Sequence, residues 1–294
     1  MQAYPDSALY ICLWNNNAKK ELWSMVTKRA RINGTELPYV DQGDGQPVVF
    51  VHGSISDCRI WDTHRPNIAQ RYRVIALTQR YFGLSAWPDD GRNFSMQTHA
   101  DDLAAFISAL RLDPVLIVGR SYGGAVTLAM AVQHPKLVER LFLYEPSLGT
   151  FVVDPAAAED RVQTMSAAKA ATHNGDIDHA VELLIDGAND RDGDFRQLPD
   201  RVQAVMLESG RTLPLMFAAP PAPPITCEDL GRVGIPVSIA VGENTRVFYR
   251  ITAEATHRCI PGSALIKVPN ARHLWPIQDP TAFSKLVLDF LENG

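Results

Sequence analysis

The sequence of 294 residues is 46% apolar and 21% charged, proportions typical of one large globular domain or of a domain with an insertion. Its 28 basic and 33 acidic residues give a net charge of −5, and this small acidic excess argues against nucleic acid or an anionic membrane surface as the main partner. No stretch approaches the roughly 20 apolar residues that a membrane-spanning helix needs.

The cysteines and the N-terminus give no sign of export. No Cys-x-x-Cys spacing occurs among Cys12, Cys58, Cys227 and Cys259. We therefore expect reduced thiols in a cytoplasmic protein, without a zinc site or a disulfide framework. The first 25 residues lack the basic start and long apolar run of a secretory signal. We expect residues 1–25 to be a loose extension, with Met25 as a candidate native start.

From about residue 26, short apolar runs alternate with helical patterns. A pair of strands that ends in "ELPYVDQG" comes first. The following runs, bounded by Pro or Gly, are typical of strands buried on both faces. These predicted strands are 47–53, 72–78, 114–119 and 138–146, and the helices between them are 59–70, 97–112 and 122–134. Such alternation predicts a parallel sheet with helices on both faces.

The alternation stops after Pro146. Residues 151–212 contain helical patterns without a convincing strand, and a proline-rich connector follows them. Strand and helix patterns then resume and alternate over 236–244, 247–260, 263–271 and 280–293. We therefore predict an α/β core formed by residues 26–150 and 229–294, with a helical cap of residues 151–228 inserted into it.

The segment "PVLIVGRSYGGAVTLAMAVQHP" carries a Gly-x-Ser-x-Gly motif between a buried strand and a helix. A serine on such a sharp turn has strained backbone angles, and its neighbours must be small so that strand and helix can approach each other. Gly119, Gly123 and Gly124 meet this requirement around Ser121. The turn lifts the serine hydroxyl above the strand and places N–H groups at the helix start, where negative charge is favoured. Ser121 is therefore a candidate nucleophile.

A serine hydroxyl needs a base, and His273 is the best placed of the eight histidines. It follows the last predicted strand and precedes the last helix, which puts it at the same sheet edge as Ser121. His52 also ends a strand, and we expect it to shape a loop whose Ser54 N–H contributes to an oxyanion hole. The other histidines fall on predicted helices or in the insertion.

Four motifs together resemble the α/β-hydrolase superfamily. They are "HGS…W" at 52–61, "RYFGLSAWP" at 80–88, "VGRSYGG" at 118–124 and the late "ARHLWPIQDP". The resemblance implies an eight-stranded, mostly parallel sheet flanked by helices, with a cap after the sixth strand. It also implies a Ser–acid–His triad and an oxyanion hole made by the N–H groups of Ser54 and Tyr122. It implies no cofactor and no metal.

The acid is the member of the triad that the sequence leaves open. Members of the superfamily usually carry it where this chain has Asn244 and Thr245, neither of which is a carboxylic acid. Some members place it after the preceding sheet strand, and Glu145 stands there, so we favour Glu145. Glu243 is the second candidate, and a dyad assisted by water or Asn244 is the third.

Arg120 offers a different interpretation of Glu145. The two residues end neighbouring predicted strands, and they could simply form an ion pair. Such a pair would lower the pKa of the carboxyl group and divert it from His273.

The nucleophile limits the chemistry. Related dehalogenases and epoxide hydrolases use Asp at this turn, so Ser121 excludes their covalent carboxylate mechanism. We expect a carboxylic-ester hydrolase that cleaves a small, mostly apolar ester or lactone through an acyl-enzyme. The alternatives are a thioesterase, a hydrolase of a carbon–carbon bond beside a ketone, an acyltransferase or cofactor-free lyase, and a receptor-like protein without turnover.

The predicted cap should roof an apolar chamber for a small-molecule substrate, and a homodimer is compatible with the sequence. The side chains that we expect to contact substrate from the core are Trp61, Phe82 and Trp275, with Phe248 as a further candidate. Those expected from the cap are Leu183, Leu184, Met206, Leu213 and Met216.

Overall fold

The computed structural model describes residues 27–148, 154–221 and 224–293. The predicted extension of residues 1–25 and the predicted junction between residues 150 and 151 lie outside these ranges. The strands, β1 to β8 in chain order, are Lys28–Ile32, Thr35–Gln42, Pro47–Val51, Arg73–Leu77, Val115–Arg120, Val138–Tyr144, Val237–Gly242 and Ala264–Val268.

The strands form one eight-stranded sheet in the order β1-β2-β4-β3-β5-β6-β7-β8. β1 and β2 pair antiparallel, as do β2 and β4, and every other neighbouring pair is parallel. This arrangement confirms the predicted fold class. Because the parallel strands run the same way, the carboxyl ends of β3, β5, β6, β7 and β8 meet at one edge of the sheet.

Helices cover both faces of the sheet. The α-helices, α1 to α12 in chain order, are Arg65–Ile68, Met96–Ala109, Tyr122–Gln133, Pro155–His173, Ile177–Asn189, Asp194–Gln197, Asp200–Ser209, Leu213–Ala218, Cys227–Gly231, Val247–Cys259, Trp275–Gln278 and Pro280–Asn293. None of the helices in the described ranges is long and apolar enough to cross a membrane.

Side chains of one strand alternate between the two covered faces. In β3, Val49 and Val51 contribute to the core beneath α2 and α3, whereas Val48 and Phe50 contribute to the core beneath α12. Both faces are therefore apolar, which explains why the strands read as continuous apolar runs rather than as alternating ones.

The predicted helix over 59–70 is wrong in detail. A 3-10 helix spans Cys58–Trp61, and the separate α1 begins at Arg65. The physical reason is Pro66, which has no N–H and whose ring would clash with the carbonyl four residues earlier. Proline therefore fits only in the first turn of a new helix.

In the described part of the chain between β6 and β7, where the sequence predicts the cap, there are six α-helices, α4 to α9. A carboxylate on α4 ties this segment to the core. Asp160 accepts hydrogen bonds from Arg246 Nη2 at 2.6 Å and from the backbone N–H of Phe248 at 2.9 Å. The start of α10 is thereby held against α4.

The expectation of reduced thiols is wrong for two of the cysteines. Cys227, at the start of α9, and Cys259, at the end of α10, form a disulfide with a Cα–Cα distance of 5.0 Å. The two residues are 32 positions apart, so their proximity comes from the packing of α9 against α10 and not from a local spacing. Cys58 is a free thiol, and burial raises its pKa.

We expect Cys227→Ala to lower the free energy of unfolding by about 3.7 kcal/mol under oxidising conditions, because the bridge restricts the unfolded chain over a loop of this length. The side chain of Cys227 is exposed, so little else changes on substitution. Urea unfolding followed by fluorescence measures the difference. With dithiothreitol present, both proteins should unfold alike; equal stability without the reductant would contradict the bridge.

Candidate active site

The turn that carries Ser121 is strained and tightly packed. Ser121 has φ 52° and ψ −122°, outside the regions that most residues adopt, and it stands between β5 and α3. A Cβ atom on Gly123 would lie 2.2 Å from the carbonyl oxygen of His52, and one on Gly119 would lie 2.9 Å from the Cα of Gly124. Only glycine allows these approaches, which is the requirement that the motif predicts.

The structure brings Ser121, His273 and Glu145 into one hydrogen-bonded row. His273 Nε2 lies 3.1 Å from Ser121 Oγ, and His273 Nδ1 lies 2.6 Å from Glu145 Oε2. All three residues are buried. With Glu145 ionised, its oxygen accepts the Nδ1 proton, and Nε2 is then free to accept the serine proton.

Glu145 is held by two further donors at the carboxyl end of β7. The backbone N–H of Gly242 donates to Oε1 at 2.9 Å, and the hydroxyl of Thr245 donates to Oε2 at 3.1 Å. Thr245 therefore stands where members of the superfamily usually carry the acid. In this chain its hydroxyl instead donates a hydrogen bond to Glu145. Glu243, the second candidate, is exposed and makes no hydrogen bond to His273.

Burial lowers the pKa of His273, and the neighbouring carboxylate of Glu145 opposes this by raising it. The charge of Arg120 lowers the pKa of His273 as well. The ring of Tyr249 stacks on the imidazole with a centroid distance of 3.9 Å and an interplanar angle of 8°. This aromatic face fixes the ring plane, and it attracts an imidazolium more strongly than a neutral imidazole.

Arg120 does not pair with Glu145, so the alternative interpretation of that carboxylate is wrong. Its Nη2 donates to the backbone carbonyl of His273 at 3.1 Å, and its buried Nε has no partner among the described residues. Burial lowers the pKa of this guanidinium. A carbonyl is a dipole rather than a counter-charge, so the guanidinium has no ion-pair partner among the described residues, although the charge of Glu145 raises its pKa from a distance.

Ser54 and Tyr122, whose N–H groups are the predicted oxyanion donors, line the cavity beside Ser121. Neither donates a backbone hydrogen bond within the described ranges. The loop before Ser54 is shaped by His52, which donates from Nδ1 to the carbonyl of Gly53 at 2.7 Å and accepts at Nε2 from Gln79 N–H at 3.1 Å. Burial lowers the pKa of His52 to about 4, so it stays neutral at pH 7.

A cavity of about 540 Å³ opens at Ser121 and His273. Its walls include side chains of α4, α5, α8 and α10. Three of the residues that the sequence proposes as chamber walls line it, namely Leu184, Met216 and Phe248.

The predicted substrate contacts of Trp61, Phe82 and Trp275 need correction, because none of them lines this cavity. Trp61 is buried and stacks near Phe283, and Trp275 packs between Tyr144 and Phe283. Phe82 lies behind the wall, beside two lining residues, Phe94 and Tyr122. Large aromatic side chains gain most by complete burial, so they pack in the core even where their neighbours in sequence reach the site.

Several residues beside Ser121 are not predicted from the sequence. Ser147 Oγ lies 3.3 Å from Ser121 Oγ, and Tyr249 covers His273. Arg161 and Lys169 reach the cavity from α4. Their spacing of eight residues on one helix face is a signal that the sequence does contain. The described residues include no group of three or more side chains arranged to hold a metal ion.

Residues 48–286 match the sequence model of the Alpha/beta hydrolase family. This match covers well over half of the chain, and the sheet and the strained serine turn agree with it. The chain therefore belongs to the α/β hydrolase family.

A curated relative is the 2-hydroxy-6-oxo-2,4-heptadienoate hydrolase of Pseudomonas putida, 37% identical over 130 residues, which are 43% of this chain. The chain thus aligns with 45% of the length of that relative. The esterase EaEST from Exiguobacterium antarcticum superposes with a TM-score of 0.74 at 21% identity, covering 90% of this chain and 99% of its own. Est816, described as an N-acyl homoserine lactone degrading enzyme, gives 0.71 at 24% identity, covering 90% and 100%. The two structures show a shared fold.

We expect Glu145→Gln to lower the pKa of His273 below its wild-type value. The carboxylate raises that pKa, so its removal leaves the lowering effects of burial and Arg120 unopposed. Nitrogen NMR of labelled histidine measures the titration. Glu243→Gln is the matched control and should leave the pKa unchanged. A larger shift in the control than in Glu145→Gln would contradict the geometry.

Proposed function

We propose that the protein is a serine hydrolase that cleaves a small carboxylic ester or lactone through an acyl-enzyme. The observation that carries this proposal is the buried hydrogen-bonded row of Ser121, His273 and Glu145, two members of which line a cavity of about 540 Å³. This order of nucleophile, base and carboxylate is the arrangement that activates a serine hydroxyl.

In the first half-reaction, Ser121 Oγ attacks the carbonyl carbon while its proton passes to His273 Nε2. The carbonyl oxygen becomes an anion, and the N–H groups of Ser54 and Tyr122 are proposed to stabilise it. Each such donor contributes about 2.7–4 kcal/mol in other enzymes. The bond to the leaving oxygen then breaks, and His273 returns the proton to that oxygen. The acyl group remains on Ser121.

In the second half-reaction, water replaces the leaving group. His273 Nε2 takes a proton from the water, whose oxygen forms a bond to the acyl carbon. Collapse of the second tetrahedral intermediate releases the acid and returns the proton to Ser121. Glu145 and the face of Tyr249 both stabilise the imidazolium that forms in each half-reaction.

Residues 151–228 are proposed to act as the cap of this site. Support comes from α4, α5 and α8, which supply apolar walls of the cavity. The anchoring of Asp160 to the start of α10 would keep those walls in register with Tyr249. A cytoplasmic location is also part of the proposal, and the Cys227–Cys259 disulfide is the observation that counts against it, because such bridges persist mainly in oxidising compartments.

A second candidate activity is hydrolysis of a carbon–carbon bond beside a ketone. The observation that favours it is the 37% identity to a hydrolase whose named substrate is an oxo-dienoate, a compound without an ester bond. The same nucleophile and oxyanion donors serve a ketone carbonyl. A substrate with a carbon leaving group distinguishes the two activities, since only the second candidate would turn it over.

A fluorophosphonate probe tests the activated serine directly. We expect the wild-type protein to be labelled and Ser121→Ala to remain unlabelled, because the probe needs a deprotonated serine oxygen. The Ser147→Ala variant, which removes the neighbouring hydroxyl at 3.3 Å, should still be labelled. Absence of wild-type labelling would instead support a binding protein that retains the fold without turnover.

Hydrolysis of p-nitrophenyl esters tests the acid. Glu145→Gln should lower kcat by about 10³- to 10⁴-fold, the scale found when an amide replaces the acid of a serine triad. The exposed Glu243→Gln should retain kcat within about twofold. Circular dichroism shows that both variants are folded. The reverse ranking of the two variants would remove Glu145 from the mechanism.

A further inference from the structure

The cavity has a one-sided charge. Three cationic side chains line it, namely Arg120, Arg161 and Lys169, and none of the aspartates or glutamates of the described ranges does so. The protein as a whole is acidic, with a net charge of −5. A cation-lined cavity in an acidic protein is therefore a local feature that overall composition does not explain.

Arg120 is the innermost of these cations. Only 4% of the residue is exposed, its Nη2 is bonded to a neutral carbonyl, and its Nε has no partner within the described chain. A buried charge without an ion-pair partner destabilises the folded protein. For a buried cation, only an anion can supply that partner. No carboxylate of the described residues forms an ion pair with Arg120. Glu145 raises the pKa of Arg120 through space, but it accepts its hydrogen bonds from His273, Gly242 and Thr245.

Arg120 and the nucleophile border the same small space. The point where a Cβ atom of Gly53 would lie is 3.2 Å from Ser121 Cβ and 3.5 Å from Arg120 Nη1. A group held by the guanidinium is therefore only a few bonds from a carbonyl carbon bound at Ser121. We assign this group to the acyl part of the substrate, which stays bound at Ser121 in the intermediate.

Arg161 and Lys169 extend the positive charge outward along α4. Both are exposed, and neither forms an ion pair with an acidic residue of the described ranges. The Arg161 guanidinium lies 5.9 Å from the ring centroid of Phe248, another lining residue. Cations around an opening raise the local concentration of anions and speed their entry.

We propose that Arg120 binds a carboxylate on the acyl part of the substrate, so that the preferred substrates are monoesters of short dicarboxylic acids. Arg161 and Lys169 attract the same anion at the entrance. This inference rests on the proposed ester hydrolysis. It adds a substrate class that the apolar walls alone do not predict.

Two esters that differ only in charge test the site. The p-nitrophenyl monoester of glutaric acid ends in a carboxylate where p-nitrophenyl valerate ends in a methyl group. We expect the wild-type protein to have a higher kcat/KM for the glutarate monoester. Arg120→Met should lower the ratio of the two specificity constants by about 10- to 100-fold, the usual effect of losing a charged hydrogen bond.

The ratio separates binding from positioning. If Arg120 only held the His273 loop through its carbonyl, both esters would slow equally and the ratio would not change, which would overturn the proposal. The Arg161→Ala and Lys169→Ala variants should lower kcat/KM for the glutarate monoester several-fold, and added salt should reduce this difference. Lys136→Ala removes an exposed cation outside the cavity lining and should leave the ratio unchanged.

A binding measurement keeps the two proposals apart. Calorimetry with the Ser121→Ala variant should detect binding of glutarate. When Arg120→Met is added to this variant, the affinity for glutarate should fall at least tenfold more than the affinity for the neutral valeramide. If glutarate binds in this way but no ester is hydrolysed, the carboxylate site stands and the proposed function fails. If both esters are hydrolysed with equal specificity constants and glutarate does not bind, the carboxylate site is wrong and the proposed function stands.

Discussion

The hydrogen bond between Glu145 and His273 is the interaction on which the rest of the site depends. It links the carboxyl end of β6 to the loop after β8 across β7, and the Gly242 N–H and the Thr245 hydroxyl hold the carboxylate in that crossing position. A buried carboxylate is stable only when its lone pairs are satisfied, and here the donors come from separate elements. The sheet must therefore be complete before the imidazole has a defined tautomer and direction.

The parts of this arrangement that depend on local geometry could be predicted from the sequence. Gly119 and Gly123 are required by atoms a few residues away or on the adjacent strand, so the motif alone indicates the turn. His273 follows from the same logic, because a residue after a parallel strand lies at a known sheet edge. The sequence favours Glu145 as the triad acid but also allows an ion pair between Glu145 and Arg120. Only the side-chain directions in the structure decide between these two partners of Glu145.

Other features depend on how distant segments meet, and no local pattern reports that. The aromatic side chains of Trp61, Phe82 and Trp275 are of a type that often lines pockets. In this structure they pack in or against the apolar core clusters instead. Tyr249 belongs to a helix with an ordinary amphipathic pattern, and its stacking on His273 arises from the approach of α10 to the β8 loop. The Cys227–Cys259 bridge likewise joins helices whose contact is tertiary. These differences between prediction and structure have the same cause. The type of a residue and its spacing from its neighbours do not show which distant residue it will contact.

Arg120 is a buried cation that lines the cavity, and its burial lowers the pKa of the guanidinium. A methionine or leucine at this position would avoid a buried charge that lacks an ion-pair partner, and replacing buried ionic groups by apolar ones often stabilises a protein. The guanidinium also lowers the pKa of His273, which favours the neutral imidazole that a serine nucleophile requires. An anion bound at Arg120 would oppose this effect and favour the imidazolium after proton transfer. Arg120 would thus keep His273 neutral before substrate binds. Once a bound anion pairs with Arg120, the guanidinium would no longer lower the pKa of His273 to the same extent.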